Sequence, residues 1–339
     1  MRARIAVDAM GVDGQSTLAV HAACALSLDT DIETILVGDE VHLQQLIGQQ
    51  PYDPGRVTVR HASSWIAPDE AATTAMRRKK RNSLALAGSM VGEGEADALV
   101  ARGNRDACQL VVQKYFRPLP GVPPAFAFAF SPQRASPSRE PLAILVDTGG
   151  AETVGLAELE AYAVMGAAYI AEIAAGARPR VGLVGESLDA ATIRLYGDGL
   201  NRLGAGGEGF EFVGEIGPAD LSCTEADVLV CSSQVGQSAV RQLSAMAADT
   251  AVDRAGEGEA SRGRQRWERL RWKRRESPPR SLFDLGAFGG SPALGYAQVC
   301  LHVHQGSPET ALRHAIVQAA RLVRGEVASS IGKAIEAIA

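Results

Sequence analysis

Strand-like apolar runs alternate with helical patterns along most of this sequence. Ile5–Val7, Leu142–Val146 and Val228–Cys231 are short apolar runs, and each leads into a turn of polar or small residues. Continuous apolar strands are typical of parallel sheets that are covered on both faces. The alternation therefore predicts an α/β fold, with a mostly parallel sheet and helices on both of its faces.

The turns that follow the predicted strands carry the candidate site. They contain Asp8, Gly38, Asn104, Asp147, Gly185 and Ser232. In open α/β sheets, ligands bind in the crevice at the carboxyl ends of the strands. With crossovers of the usual hand, we expect these turns to lie along one edge of the sheet. This arrangement predicts a crevice but does not identify a reaction.

The first of these turns contains two acids. Ile5–Gly14 is a strand that ends at Asp8, followed by a turn with Gly11, Gly14 and a second acid, Asp13. Asp and Gly are also ordinary turn formers after a strand. The pattern is thus compatible with a site acid and with a simple strand end.

A basic run lies in a region that is predicted to be a single helix, Ala71–Met90. Arg77–Arg81 is followed directly by Asn82 and Ser83. Arginine and lysine bind anions, and arginine can bind phosphate through two parallel hydrogen bonds. The alternative is a solvated basic face of the helix.

A second basic segment, Arg262–Arg280, also contains Trp267 and Trp272. A cationic surface with tryptophans can lie on an anionic membrane. It can also bind a small acidic protein, or be a disordered basic linker. Pro278 and Pro279 should end any helix there.

Composition excludes several classes of function. The net charge is −5, so the chain as a whole has no electrostatic basis for binding nucleic acid. The five cysteines form no C-x-x-C pair and no zinc-like spacing with histidine, so no metal site is predicted. No window approaches about 20 consecutive apolar residues, so no transmembrane helix is expected. Free thiols and the lack of a signal-peptide pattern predict a cytoplasmic protein.

Several short motifs together resemble one family. They are Ile5–Gly11, Leu36–Asp39, Arg77–Ser83, Asn104 after a strand, Met165-Gly166, Pro179–Leu183, Ala226–Val230 and Phe288–Ser291. In this order they resemble the bacterial phosphate acyltransferases of phospholipid synthesis, over nearly the whole chain. The opening motif and the basic run are the most specific parts of the resemblance.

The resemblance implies a reaction and an architecture. Enzymes of this kind transfer a long acyl chain from acyl carrier protein to inorganic phosphate, giving acyl phosphate, without metal or cofactor. Their fold is similar to that of the isocitrate and isopropylmalate dehydrogenases, and they are homodimers that associate peripherally with the membrane. We therefore expect one unit over residues 1–339, with a projecting, flexible basic helical hairpin at 244–282.

The predicted site follows from these motifs and from the chemistry, since attack by phosphate on a thioester needs an anion site and donors for the oxyanion. The predicted catalytic residues are Asp8, Asn104, Asp147 and His304, and the predicted phosphate ligands are Arg78, Lys79, Ser83 and Arg105. Acyl or carrier binding is assigned to Gly11, Asp13, Gly185, Gly236, Gln237, Gly289 and Gly290. Membrane or carrier contact is assigned to Trp267, Arg271, Trp272 and Lys273.

Three polar loops depart from the family pattern. Charged Arg102, Arg105 and Asp106 surround Asn104, where the family has small residues. The segments 147–152 and 232–237 also lose polar residues that the family carries. An alternative is therefore a catalytically altered paralogue that binds acyl carrier protein or acyl groups, or serves as a partner subunit in a specialised acyl or polyketide pathway. A transferase that uses another acceptor is a third reading.

Overall fold

The computed structural model describes residues 2–12, 16–132, 142–148, 154–174, 178–185, 190–205, 209–232, 234–243 and 289–338. Several sequence predictions lie outside the described residues: those for Asp13, Trp267, Arg271, Trp272 and Lys273, and the hairpin at 244–282.

The strands of the described residues form one eleven-stranded sheet. They are β1 (Arg4–Asp8), β2 (Glu33–Gly38), β3 (Val57–His61), β4 (Ala98–Arg102), β5 (Ala125–Phe130), β6 (Ala143–Val146), β7 (Arg180–Val184), β8 (Glu211–Ile216), β9 (Val228–Val230), β10 (Ser291–Leu294) and β11 (Val299–Val303). Their order across the sheet is β3-β2-β1-β4-β11-β10-β5-β6-β9-β7-β8.

Helices cover both faces of this sheet, as predicted. They are α1 (Thr17–Asp29), α2 (Glu40–Ile47), α3 (Ala72–Arg78), α4 (Ser83–Gly92), α5 (Arg105–Tyr115), α6 (Leu156–Ile173), α7 (Ala190–Ala205), α8 (residues 234–243), α9 (Glu309–Arg324) and α10 (Val327–Glu336). A short 3₁₀ helix spans Pro218–Cys223.

The hydrophobic core differs between the two faces. Alternate strand residues point to opposite faces, so Ile5 and Val7 pack on one side and Ala6 on the other. On the first face, one continuous cluster lies beneath α1, α6 and α9 and includes strand residues from both ends of the sheet. On the second face there are two separate clusters, one beneath α3, α4 and α5 and one beneath α8. The second face therefore has a break in its core near the middle of the sheet.

The strands do not all run in one direction. β1, β2, β3, β4 and β11 are parallel, but β10 is antiparallel to both β11 and β5, and β5 is antiparallel to β6. β6, β7, β8 and β9 are parallel to one another and therefore run opposite to β1–β4. The prediction that all the polar turns share one edge is wrong. Asp8 and Asn104 follow strands of one direction, whereas Asp147, Gly185 and Ser232 follow strands of the other.

Two predicted helices are each divided into two. The predicted helix Ala71–Met90 is broken after Arg78, and α4 restarts at Ser83 with Asn82 as its N-cap, whose Oδ1 accepts from the Ala85 N–H at 2.8 Å. The amphipathic pattern over Glu309–Ile338 predicts one final helix, but the structure breaks it at Gly325, and the next residue, Glu326, has a φ of 51°. Strand β10 was not predicted, because the sequence Ser-Pro-Ala-Leu carries no clear strand pattern.

Candidate functional site

A cavity of about 400 Å³ lies on the second face, where its core is interrupted. Its polar side is formed by Asn104 and Arg105 at the start of α5 and by His302 and His304 at the end of β11. Phe128 of β5 and Val240 of α8 form an apolar side. Because the first four residues come from one half of the sheet and the last two from the other, the cavity lies between the two halves.

Asn104 organises one wall of this cavity. Its Oδ1 accepts from the Ala107 N–H at 2.9 Å and so caps α5. Its Nδ2 donates to the backbone oxygens of Ala67 at 3.0 Å and Glu70 at 2.8 Å. Asn104 was predicted as an oxyanion or phosphate donor. In this structure its amide hydrogens are directed to the 67–70 loop, whose residues line the cavity.

Arg105 is a half-buried cation in the cavity. Its guanidinium donates to the backbone oxygen of Thr148 at 3.2 Å and also to the Thr148 hydroxyl. Burial lowers the pKa of Arg105, and the charge of Asp106 opposes that shift. Although Asp106 is the next residue, no carboxylate of the described residues forms an ion pair with Arg105. A half-buried guanidinium outside an ion pair is a candidate anion ligand.

Two histidines at the end of β11, His302 and His304, lie on the same side of the cavity and are uncharged near neutral pH. Burial, together with the Arg105 charge, lowers the pKa of His302 to about 3. Its Nε2 lies 3.1 Å from the Gly103 carbonyl oxygen, so Nε2 carries the proton, since a carbonyl only accepts. Burial and the charge of Arg102 also lower the pKa of His304. Its Nδ1 accepts from the Gly306 N–H at 3.2 Å, which leaves the proton on Nε2 as a donor.

His302 was not assigned a role from sequence. A signal was present, because His302 and His304 are two residues apart in a strand-like run and must therefore point to the same face.

A second cavity, of about 360 Å³, adjoins the same turn after β4 and is lined by Asp8, Gly11, Ser16 and Arg102. Burial raises the pKa of Asp8 to about 6, and the nearby Ser83 hydroxyl and the Met10 N–H, which donates to Asp8 Oδ1 at 3.3 Å, partly offset this effect. Ser83, predicted as a phosphate ligand, is thus a neighbour of Asp8. At pH 7 a measurable fraction of the Asp8 carboxyl can still hold a proton.

Two glycines, Gly11 and Gly103, allow the turns after β1 and β4 to make a close backbone contact. A Cβ on Gly11 would lie 1.8 Å from the Arg102 carbonyl oxygen. Gly103 has a φ of +112°, and a Cβ there would lie 1.9 Å from the Gly11 carbonyl oxygen. Only glycine fits such a backbone contact. Gly11 was predicted to bind the acyl group or the carrier; it borders the second cavity and also sets this close approach.

The basic run does not reach the 400 Å³ cavity. Arg78 lies exposed in the last turn of α3, and Lys79 makes an ion pair with Glu70 and donates to the Trp65 backbone oxygen at 2.8 Å. Of the predicted phosphate ligands, the structure places only Arg105 among the lining residues of that cavity.

The remaining predicted site residues lie elsewhere in the fold. Asp147 is fully buried with a φ of 67°, and a Cβ on Gly236 would lie 2.1 Å from its carbonyl oxygen. Gln237 is exposed on α8, and Gly185 follows β7 at the other edge. Gly289, with a φ of +93°, packs against α9, and the Gly290 N–H donates to the Gln318 side chain at 3.1 Å. None of these six residues lines the 400 Å³ cavity.

Within the described ranges, no three His, Cys, Asp or Glu side chains come together in a group that could hold a metal ion. Over the same ranges, none of the helices combines the length and apolar content that crossing a membrane requires.

Solved structures that share this fold include a phosphotransacetylase and a phosphotransacylase. The chain is similar to a phosphotransacetylase from Streptococcus pyogenes, with a TM-score of 0.60, 15% identity and coverage of 96% of this chain and 94% of that one. A branched-chain phosphotransacylase from Enterococcus faecalis gives a TM-score of 0.53 at 12% identity, covering 95% of this chain and 99% of the other. The protein therefore has the α/β fold of the phosphotransacylases.

Sequence relatives define the family more closely. Residues 3–330 match the family model described as "Fatty acid synthesis protein", and the chain belongs to that family. A phosphate acyltransferase from Brevibacillus brevis is 28% identical over 355 aligned positions, covering 98% of this chain and 97% of the relative. One from Myxococcus xanthus is 29% identical over 344 positions, covering 98% and 93%.

Proposed function

We propose that this protein is an acyltransferase that moves a fatty acyl group from the thioester of acyl carrier protein to inorganic phosphate, giving acyl phosphate for phospholipid synthesis. The observation that carries this proposal is the Arg105 guanidinium, which lines the same cavity as His304 and forms no ion pair with a carboxylate of the described residues. Membership of a fatty acid synthesis family and relatives named phosphate acyltransferase support the same reaction.

In this reaction a phosphate oxygen attacks the thioester carbonyl carbon. A C–O bond forms, negative charge develops on the carbonyl oxygen, and the C–S bond then breaks to release the carrier thiolate, which takes up a proton. Arg105 is suited to bind the phosphate, because a cation in a low-dielectric site attracts an anion strongly. Binding there would hold the phosphate oxygen in an orientation for attack, which free phosphate in water does not keep.

His304 is suited to stabilise the developing oxyanion. Its Nδ1 already accepts from Gly306, so the neutral ring presents an Nε2–H as a fixed donor. Its lowered pKa keeps it from becoming a cation, so it donates a hydrogen bond and is not itself a charged phosphate ligand. A preorganised donor to an oxyanion is usually a large term in acyl-transfer catalysis.

The walls of the cavity complete the proposal. Asn104 fixes the 67–70 loop, and Phe128 and Val240 offer an apolar surface to the first carbons of the acyl chain. Asp8 does not line this cavity, and its proposed role is to hold the adjoining turn and carry a proton in the second cavity. The homodimer, the peripheral membrane contact and the cytoplasmic location stay predictions.

The test is a direct assay. Purified protein is incubated with palmitoyl–acyl carrier protein, with and without phosphate, and free carrier thiol is measured. We expect thiol release that depends on phosphate and is not supported by sulfate. Release that does not depend on phosphate would point to another acceptor.

A second candidate is a paralogue that binds the acyl carrier protein without turnover. The observation that favours it is the Arg105–Thr148 contact, which occupies the guanidinium across the cleft. Retained carrier binding without thiol release, in the same assay, would support this candidate over the enzyme.

A further inference from the structure

The corner between α3 and α4 carries a concentration of uncompensated positive charge. Arg77, Arg78, Lys80 and Arg81 are all exposed. Within the described part of the chain, no acid forms an ion pair with any of these four, whereas Lys79 between them pairs with Glu70. Four exposed cations within five residues therefore concentrate positive charge at one place on a chain whose net charge is −5.

A concave surface accompanies these charges. Lys80 and Arg81 line a cavity of about 270 Å³ together with His61, Ser63 and Tyr115. Trp65, which is 36% exposed, lies close by, since its carbonyl oxygen accepts from Lys79. Tryptophan and arginine are the residues most enriched at the energetic centres of protein interfaces.

This basic corner (Arg77, Arg78, Lys80 and Arg81) is connected to the 400 Å³ cavity by one short loop. Ser63 borders the corner cavity, while Pro68, Asp69 and Glu70 line the 400 Å³ cavity. Lys79 contacts the loop at two points, by donating to the Trp65 carbonyl oxygen and by pairing with Glu70, and Asn104 donates to the Glu70 carbonyl oxygen. A macromolecule bound at the basic corner would therefore lie close to the entrance of the proposed acyl-transfer site.

The surface fits an acidic protein better than a lipid bilayer. A membrane-binding face needs a broad exposed apolar surface. The exposed large apolar residues described near this corner are Trp65 and Val41, the latter next to Glu40, whose N–H donates to His61 of the corner cavity. Leu28, Leu195 and Val317 belong to α1, α7 and α9. Two such side chains beside four cations are few for a membrane-binding face. Charge complementarity and a concave surface are features of a protein docking site.

We propose that the basic corner is the docking surface for the small acidic carrier protein that delivers the acyl thioester. This inference rests on the proposed function, because that reaction requires a carrier-bound donor. Acidic side chains of the carrier pair with the four cations, and Trp65 contributes the apolar contact. The docked carrier then needs only to extend its thioester arm around the 62–71 loop to reach the cavity.

The test compares two charge-reversal variants. The first is Arg77→Glu/Lys80→Glu/Arg81→Glu, which leaves Arg78, a predicted phosphate ligand, in place. The matched control is Arg202→Glu/Arg321→Glu/Lys333→Glu, on α7, α9 and α10, where the three side chains are also exposed. The probe is purified holo acyl carrier protein, with Kd measured by isothermal titration calorimetry or fluorescence anisotropy at 50 mM and 300 mM salt.

We expect the corner variant to weaken carrier binding by more than tenfold at low salt, and the control variant to change it by less than about twofold. Salt should weaken binding by the wild-type protein and have a smaller effect on the corner variant. A corner variant that binds within twofold of wild type, or wild-type binding that does not respond to salt, would overturn the proposal.

Two further arms separate this proposal from others. With an acyl-pantetheine thioester in place of the carrier, the corner variant should retain the wild-type rate, because no carrier has to dock. If neither donor gives turnover, the proposed function fails, while the binding measurement still decides the docking surface. If the corner variant loses binding to vesicles with 30% anionic phospholipid but keeps carrier binding, the surface is a membrane contact and the proposal is wrong.

Discussion

The guanidinium of Arg105 donates a hydrogen bond of 3.2 Å to the backbone oxygen of Thr148. This contact joins the first residue of α5 to the turn after β6, and so connects the two halves of the sheet across the candidate site. A phosphate that enters the cavity must therefore share the guanidinium with Thr148 or displace it. The five donors of arginine allow sharing, because one edge of the group can hold the protein while the other binds the anion.

Arg105 should control the phosphate requirement. We expect Arg105→Gln to lower kcat/KM for phosphate by about 100-fold, since the cation and its donors are lost. Arg105→Lys keeps the charge but not the fork of donors, and should lose about tenfold. The measurement is the initial rate of carrier thiol release against phosphate concentration. The control is Arg117→Gln, at an exposed position after α5, which should stay within twofold; equal rates for Arg105→Gln and wild type would remove Arg105 from the site.

Asp8 should make the protein less stable as pH rises from about 4 to 6. Its pKa is raised from 3.8 to about 6 in the folded state, so the folded protein binds the proton more tightly than the unfolded chain does. The associated stability is complete below pH 4 and is lost as pH rises through 6. At pH 7, Asp8→Asn should therefore be more stable than wild type, by on the order of 2–3 kcal/mol, with no gain at pH 4.

Urea unfolding of both proteins between pH 4 and 7.5 tests this prediction. His302 acts in the opposite direction, because its lowered pKa removes stability as pH falls below 6.5, but it is common to both proteins and cancels in the difference. Glu336→Gln, an exposed acid on α10, is the control and should show no such pH-dependent gain. A constant difference between Asp8→Asn and wild type across this range would contradict the raised pKa.

Asn104 should be needed for the shape of the cavity wall. Asn104→Asp keeps the acceptor that caps α5 but removes the donors to the carbonyl groups of Ala67 and Glu70. The variant also places a negative charge against those carbonyl oxygens, so we expect a loss of about 2 kcal/mol in unfolding free energy. Hydrogen exchange should become faster in the 62–71 loop, while α5 stays protected. Unchanged exchange in that loop would show that Asn104 does not hold it.

The Gly11–Gly103 contact should tolerate no side chain. We expect Gly11→Ala to cost about 2–3 kcal/mol, because its Cβ would meet a backbone oxygen that cannot move aside. Gly332→Ala is the control, since nothing lies within 4 Å of a Cβ at this helical position. It should stabilise the protein by up to about 1 kcal/mol. Equal melting temperatures for the two variants would contradict the close backbone approach.

The sequence was informative about individual elements and much less so about their directions. The apolar run at Leu142–Val146 predicted a buried strand, and β6 is fully buried. Its direction depends on the antiparallel pairing of β10 with β5 and of β5 with β6, which is a long-range property that local patterns do not encode. Asp147 therefore could not be placed relative to Asp8 from its strand alone.

The same contrast holds for the site. Asn104 was identified from its position after a strand. Its hydrogen bonds to the 67–70 loop could not be predicted, because that loop lies more than thirty residues away in the sequence. The break in the helix after Arg78 had a local signal, since Asn82 is a favourable N-cap. The residues before and after it nevertheless fit the pattern of one continuous helix, Ala71–Met90. His302 could have been found from its two-residue spacing to His304; its lowered pKa could not, because that depends on Arg105.

Strands β10 and β11 lie between β4 and β5 in the middle of the sheet, although they follow all the other described strands in the sequence. On a translating ribosome, β4 and β5 therefore emerge long before the strands that will separate them. In the meantime, the edge of β4 that faces β11 and the edge of β5 that faces β10 stay unpaired. His302 and His304 arrive with β11, so the site forms only after this last described strand has been synthesised. Chaperone protection of the nascent chain should matter more for this protein than for one whose sheet is completed in order of synthesis.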